Sequence, residues 1–249
     1  MTAPIALITA GSRGIGAATA RLLAADGYDV AFSYLSNEVA AKAVVADIEK
    51  IGQRGLAIVA DNAVEADILT MFETVDRELG VLSALVNNAG VTGGFSRIDS
   101  VTEETLRYVS GVNFIGPILC CREAVRRMST AYGGKGGSIV NISSTAATRG
   151  SAGEWVHYAA TKGAMNTMTV GLAVEVAGEG IRVNAVSPGL TATELHAKAG
   201  EPGRIDRLSS VIPLGRAGTP DEMAAAIRFL LSSESAYTTG AVLPVAGGF

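Results

Sequence analysis

Only two histidines, His157 and His196, occur in the 249 residues, and the two cysteines, Cys120 and Cys121, are adjacent. A histidine-based metal cage or a serine-hydrolase triad therefore has no partners to draw on, and no metal is expected. Neighbouring cysteines within one helical stretch make a poor structural disulfide, which points to a reduced, cytoplasmic setting. No apolar run approaches the roughly 20 residues that span a bilayer. The N-terminus lacks the basic start and apolar core of a signal peptide. There is no basic excess either. A net charge of −4 gives no footprint for nucleic acid, and no polybasic or amphipathic patch marks a membrane surface. Without a fixed-period repeat or a low-complexity linker, residues 1–249 read as one domain.

What is abundant is apolar residues (48%) and glycine, thirty in all, which suits a buried core with many tight turns. Apolar strands alternate with amphipathic helices along the chain. Strands are expected at 5–9, 30–34, 56–60, 84–86, 138–142, 181–186 and 241–245. Helices are expected at 15–25, 38–51, 65–79, 103–128 (broken around Gly116-Pro117) and 158–176. A further helix opens at Thr219-Pro220-Asp221-Glu222, with an N-cap, a first-turn proline and first-turn acids. Continuous apolar strands between helices argue a parallel sheet covered on both faces.

Three stretches carry chemistry. Thr9-Ala10-Gly11-Ser12-Arg13-Gly14-Ile15-Gly16 joins the first strand to the first helix, where small residues let backbone approach a pyrophosphate. Tyr158 and Lys162 stand four apart on a helix, hence on one face. A fixed charge there favours the phenolate and moves a group of pKa about 10 towards usable proton transfer. Upstream, the 138–142 strand runs straight into Ser143-Ser144, so a hydroxyl and a phenol can hold one carbonyl oxygen from two sides. His157 reads as a packing residue. Trp155, between the serine and the tyrosine, reads equally as pocket wall or as core.

Together these motifs resemble the short-chain dehydrogenase/reductase family, in its form of about 250 residues, over essentially the whole length. Thr9, Gly14 and Gly16 match the family's glycine loop, with Ala10 standing where the first glycine falls. Asn87-Asn88-Ala89-Gly90 matches its N-N-A-G. The resemblance implies a doubly wound Rossmann sheet of seven parallel strands with helices on both faces. It also implies hydride transfer between a nicotinamide and a carbonyl or secondary alcohol. Ser144 and Tyr158 then hold the substrate oxygen, with Ser143 and Thr145 as rivals to Ser144. Lys162 lowers the Tyr158 pKa and binds the nicotinamide ribose, and Asn113 holds a relay water. Gly11, Ser12, Arg13, Gly14, Ile15 and Gly16 would cradle the dinucleotide phosphates. Asp61 and Asn62 would lie at the adenine, and Asn88, Ala89 and Gly90 beside the riboses. Pro188, Gly189, Leu190, Thr191 and Thr193 would meet the nicotinamide and phosphates, and 191–214 would form a lid over the substrate. A homotetramer is implied as well.

The second expected strand ends Phe32-Ser33-Tyr34-Leu35-Ser36-Asn37, with no acid before Glu38. An NAD site usually has a carboxylate there for the ribose hydroxyls. Arg13, Ser33, Tyr34 and Ser36 suit a 2′-phosphate instead, so NADP(H) is expected. The alternative is a non-enzymatic dinucleotide-binding regulator on the same fold, which would need the glycine loop but not the Ser-Tyr-Lys set. The substrate, a small molecule, stays open among thioesters, sugars, steroids and small ketones.

Overall fold

The computed structural model describes residues 3–249, the side chains of His196 and Lys198 excepted. Seven parallel strands form one sheet: β1 (Ile5–Ile8), β2 (Asp29–Tyr34), β3 (Gly55–Val59), β4 (Ala84–Asn87), β5 (Gly137–Ile142), β6 (Ile181–Pro188) and β7 (Val242–Val245). Their order in space is β3-β2-β1-β4-β5-β6-β7. The chain therefore builds outward from β1 in one direction, returns to the centre, and builds outward in the other. The reversal falls between β1 and β4, where the connections leave in opposite directions and open a crevice beyond the strand ends. This is the single-domain, doubly wound α/β fold expected.

Strand residues alternate between the two faces, and here both faces are dry. Leu7, Leu85, Ile139 and Val183 pack into one core with α3 (Glu65–Glu78), α5 (Gly116–Met128) and α7 (Val156–Val176). Their neighbours Ile8, Val86, Val140 and Val186 pack into the other, with α1 (Gly14–Ala25), α2 (Glu38–Ile51) and α10 (Pro220–Leu231). Each large side chain so buried contributes roughly 1.5–3 kcal/mol. Burial on both sides is why the strands read as unbroken apolar runs rather than alternating ones. Capping fixes the helix ends. Asn37 Oδ1 accepts from Ala40 N at the start of α2, and Gly52 ends that helix at φ 94°. Thr219 and Glu222 form a capping box on α10.

The expected 103–128 helix is three pieces: α4 (Glu103–Ser110), a π-turn over Gly111–Ile115, and α5. The break precedes Gly116-Pro117 instead of falling on it. Pro117 sits in the first turn of α5, directly after the π-turn, where it supplies no N–H to the helix. Gly116 has no room for a side chain, since an added Cβ would collide with the Asn62 carbonyl. Three short helices have no periodic signal in the sequence: α6 (Ala146–Arg149), α8 (Leu195–Lys198) and α9 (Arg204–Ser209). All three surround the crevice. The Tyr158 helix begins two residues earlier than its spacing suggests, at Val156, and β6 runs two residues further, to Pro188.

Candidate active site

Hydrogen bonds tie the glycine loop to both neighbouring strands. Thr9, fully buried, accepts on Oγ1 from the backbone N–H groups of Asn88 and Ala89, both at 2.9 Å. The Asn88 amide returns two bonds, to the carbonyls of Thr9 (2.9 Å) and Ala10 (3.0 Å). Gly16 leaves space for that amide, because a Cβ there would lie 2.6 Å from Asn88 Nδ2. On the other side Ser33 Oγ accepts from Ala10 N at 2.9 Å. Ala10 itself sits at φ 54°, a left-handed conformation that costs a residue with a side chain about 1–2 kcal/mol. The substitution for glycine is thus absorbed as local strain, held by the bonds around it. At the mouth of α1 no side chain caps the helix and no acid occupies the first turn. Its N–H groups and positive dipole end face the crevice.

The crevice is a cleft of about 820 Å³. Arg13, Gly14, Ile15, Asn88 and Gly90 line one arm. Pro188, Gly189, Leu190, Thr191 and Thr193 form the roof, and Ser144, Tyr158 and Lys162 form the far wall. The remaining expected residues stand behind this lining. Gly11, Ser12 and Ala89 belong to the turns that shape the loop, Gly16 to the first turn of α1, while Ser33 bonds to the loop. Tyr34 ends β2, Ser36 follows it, Asp61 and Asn62 follow β3, and Asn113 lies beneath Gly90. A Cβ on Gly90 would sit 3.5 Å from Lys162 Nζ and 3.7 Å from Asn113 Oδ1, so these three meet at one point.

Tyr158 and Lys162 are 7% and 2% exposed. Burial raises the Tyr158 pKa above the ordinary phenol value, and the Ser144 hydroxyl bonded to it pulls the other way. Burial also brings Lys162 down, to about 8. Burial and the Ser144 hydroxyl set the Tyr158 shift, while Lys162 stands further from the phenol. Its Nζ lies 5.7 Å from the phenol ring centroid and donates to the Ile142 carbonyl at 2.7 Å, so desolvation dominates both groups. Asn113, inside the π-turn, clamps Val91 by accepting from its N–H and donating to its carbonyl, both at 2.8 Å. It also donates to Thr161 Oγ1 at 3.2 Å. Its side chain is committed to holding that loop. Of the rivals to Ser144, Ser143 is buried and donates to the Lys162 carbonyl at 3.2 Å. His157 is a packing residue, its Nε2 lying 2.8 Å from the Thr92 carbonyl.

The chain belongs to the short-chain dehydrogenase/reductase family. A family model described as enoyl-(acyl carrier protein) reductase matches residues 9–249. The uncharacterized oxidoreductase YgfF of Escherichia coli (strain K12) is 49% identical over 244 residues, 98% of this chain and 99% of its own. A blue fluorescent protein from a metagenomic library, solved in complex with NADPH, is 36% identical with a TM-score of 0.91, over 100% of this chain and 98% of its own. A short chain dehydrogenase from Burkholderia cenocepacia J2315, solved in complex with NADP, is 36% identical with a TM-score of 0.91, over 99% and 98%.

Apart from Asn87 of the N-N-A-G run, several residues around the site are not evident from the motifs. Asn87 and Asn141 sit opposite each other on β4 and β5 and are linked at 2.9 Å, and Asn141 donates to Thr169 Oγ1 on α7 at 2.9 Å. This buried amide ladder fixes the catalytic helix against the strand ends. A sequence signal exists for it, in the two apolar strands that carry Leu-Val-Asn and Ile-Val-Asn. Arg149, Glu154, Arg204 and Phe249 also line the cleft, and their separation along the chain hides them. Among the described residues no group of three or more His, Cys, Asp or Glu is placed to hold a metal ion.

The buried Lys162 yields a stability test on cofactor-free protein. Its pKa is about 8 folded against 10.5 ordinarily. Between those values the unfolded chain binds more protons, so this group's contribution to stability rises with pH. Below pH 8 the penalty for burying the charge is present in full. Lys162→Met should therefore gain most in stability over the parent at pH 7, and that advantage should shrink by pH 10, as read by denaturant titration. A difference that widens with pH would show that Lys162 is not held as a desolvated ammonium.

Proposed function

We propose that this protein is an NADP(H)-dependent oxidoreductase that moves a hydride between nicotinamide and a carbonyl or secondary alcohol. The observation that carries this is the meeting of the Ser144 hydroxyl, the Tyr158 phenol and the Lys162 ammonium on one wall of a cleft whose other arm ends at an uncapped helix N-terminus. A dinucleotide fits the residues present. The first turn of α1 has bare N–H groups for the pyrophosphate. Asn62 is 6% exposed and neither of its amide atoms has a hydrogen-bond partner among the described residues, so a heteroaromatic base can take both. A non-enzymatic regulator would have no use for the converging hydroxyl, phenol and ammonium.

The bound cofactor supplies the hydride; the protein supplies position and protons. Tyr158 gives its proton to the substrate oxygen in reduction and takes one back in oxidation, while Ser144 donates a hydrogen bond to the same oxygen. A phenol whose pKa is raised by burial stays protonated at neutral pH, which suits it to the donor role. Lys162 holds a ribose and, as an ammonium, stabilises the phenolate left behind. Asn113 keeps the Val91 loop and α7 in register beneath them. Residues 191–214 act as the lid, with Leu195, Arg204 and Leu208 reaching the cleft.

Preference for NADP(H) follows from where the carboxylates near the end of β2 are engaged. Glu38 opens α2 and pairs with Lys42 at 2.8 Å. Asp29 lies at the strand's start and accepts from Arg54 N at 2.8 Å. Arg13 has only a long 3.5 Å contact with exposed Glu194, weak enough to yield to a phosphate.

The assembly we infer is a homotetramer. Ile115 and Ile118 at the α4–α5 junction and Val170 and Val174 on α7 are exposed apolar side chains that a second copy would cover. The two cysteines are free and buried, which fits a cytoplasmic setting.

Three measurements test this reading. Tyr158→Phe should lower carbonyl reduction at least 10²–10⁴-fold, with NADPH binding little changed; retention of half the activity would remove Tyr158 from the mechanism. The parent should show a lower KM for NADP⁺ than for NAD⁺, and Arg13→Ala should flatten or reverse that order. Equal specificity constants in the parent would contradict it. Light scattering at micromolar concentration should give the mass of a tetramer rather than of one chain.

A further inference from the structure

On the substrate side of the cleft a charged residue is buried where the motifs assign nothing. Arg204, on α9 of the lid segment, is 8% exposed. Its Nη2 donates to Glu154 Oε2 at 2.6 Å and its Nη1 to Glu201 Oε2 at 3.1 Å. The guanidinium lies over Trp155, 4.3 Å from the ring centroid, with Phe95 at 5.7 Å. Trp155 in turn stands edge-on to the Tyr158 ring at 6.1 Å and tilted against Phe95 at 4.9 Å. One arginine thus ties together three segments that wall the pocket. These are the lid, the turn from Ser151 that precedes the catalytic helix, and the loop after β4, whose Ser96 N–H donates to the Glu154 carbonyl at 2.9 Å.

We propose that Arg204 is a positioning residue for the reaction: it latches the lid onto Glu154 and Trp155, and through Trp155 sets the substrate-side packing of Tyr158. The proposal rests on the oxidoreductase reading of the cleft. Three features favour a working latch over a structural tie. An ion pair whose arginine is buried and whose carboxylates are about a quarter exposed gains little over its hydrated state, so the contact can open and reclose with each substrate. The planar fork of arginine, held by two carboxylates over the indole, gives it one closed geometry, which a lysine would not. Arg204 Nε and Trp155 Nε1 are both buried with no acceptor among the described residues. A contact built for stability alone would satisfy those donors.

Trp155 is the only tryptophan in the chain, so its fluorescence reports on this corner directly, without cofactor or turnover. Arg204→Met keeps an apolar stem on the indole and removes the fork; Glu154→Gln removes only the partner's charge; Arg204→Lys keeps charge without the fork. In cofactor-free protein the first two should make Trp155 about twofold more quenchable by acrylamide, with red-shifted emission. In steady state, KM for whichever carbonyl the parent reduces should rise about tenfold, equivalent to about 1.4 kcal/mol. The kcat should fall no more than about threefold, and the NADPH dissociation constant should hold. Arg204→Lys should lie between parent and Arg204→Met. Parental quenching in Arg204→Met and Glu154→Gln would overturn the latch. Raised quenching with parental KM would reduce it to a structural tie and overturn the positioning role. If the parent turns over no carbonyl or alcohol, the oxidoreductase reading falls, while the quenching arm still decides whether Arg204 closes the lid.

Discussion

A parallel sheet buried on both faces has only its strand ends left to meet water, and this constraint organises the molecule. Two layers of helices occupy the faces, so chemistry has to gather where strands stop and connections diverge. The reversal between β1 and β4 supplies that place. Thr9 and Asn88 bond to each other across it, and Ser33 accepts from the Ala10 N–H beside them. The loop they hold carries the uncapped end of α1. Because that framework is rigid, it tolerates Ala10 in a left-handed conformation that an isolated turn would avoid.

Burial sets the titration of the site. Tyr158 and Lys162 are both desolvated, so the phenol is pushed up and the ammonium down, each towards its neutral form. The charge on Lys162 is kept by the carbonyl of Ile142, at the end of β5, rather than by the tyrosine. A second cation of the cleft, Arg204, is held by paired carboxylates and an aromatic face. The cleft is therefore built differently on its two sides: the glycine loop presents the backbone N–H groups of an uncapped helix, and α9 presents a charged side chain.

The strands, the glycine loop, N-N-A-G and the Ser144, Tyr158 and Lys162 set were legible because each is written in residues close together along the chain. Boundaries moved by one or two residues, where a strand's last pairing or a helix cap is decided by neighbours in space. The π-turn at Gly111–Ile115 has no periodic signature, and the close approach of Gly116 to the Asn62 carbonyl beside it joins distant segments. The partners of the Asn113 side chain were hidden for a similar reason: Val91 and Thr161 lie 22 and 48 residues away.

Local pattern by itself thus determined the fold class and the chemical types at the site, since periodicity, turn residues and four-residue spacing act over a few ångströms of chain. Membership of an oxidoreductase family follows from those same short motifs. Only the tertiary structure decided how the side chains are spent. It showed that Lys162 bonds a strand-end carbonyl, that Asn87 and Asn141 form a ladder, and that Arg204 reaches back 50 residues to Glu154. The physical reason is that desolvation and partner choice depend on what surrounds a group in three dimensions, and no stretch of sequence carries its own surroundings.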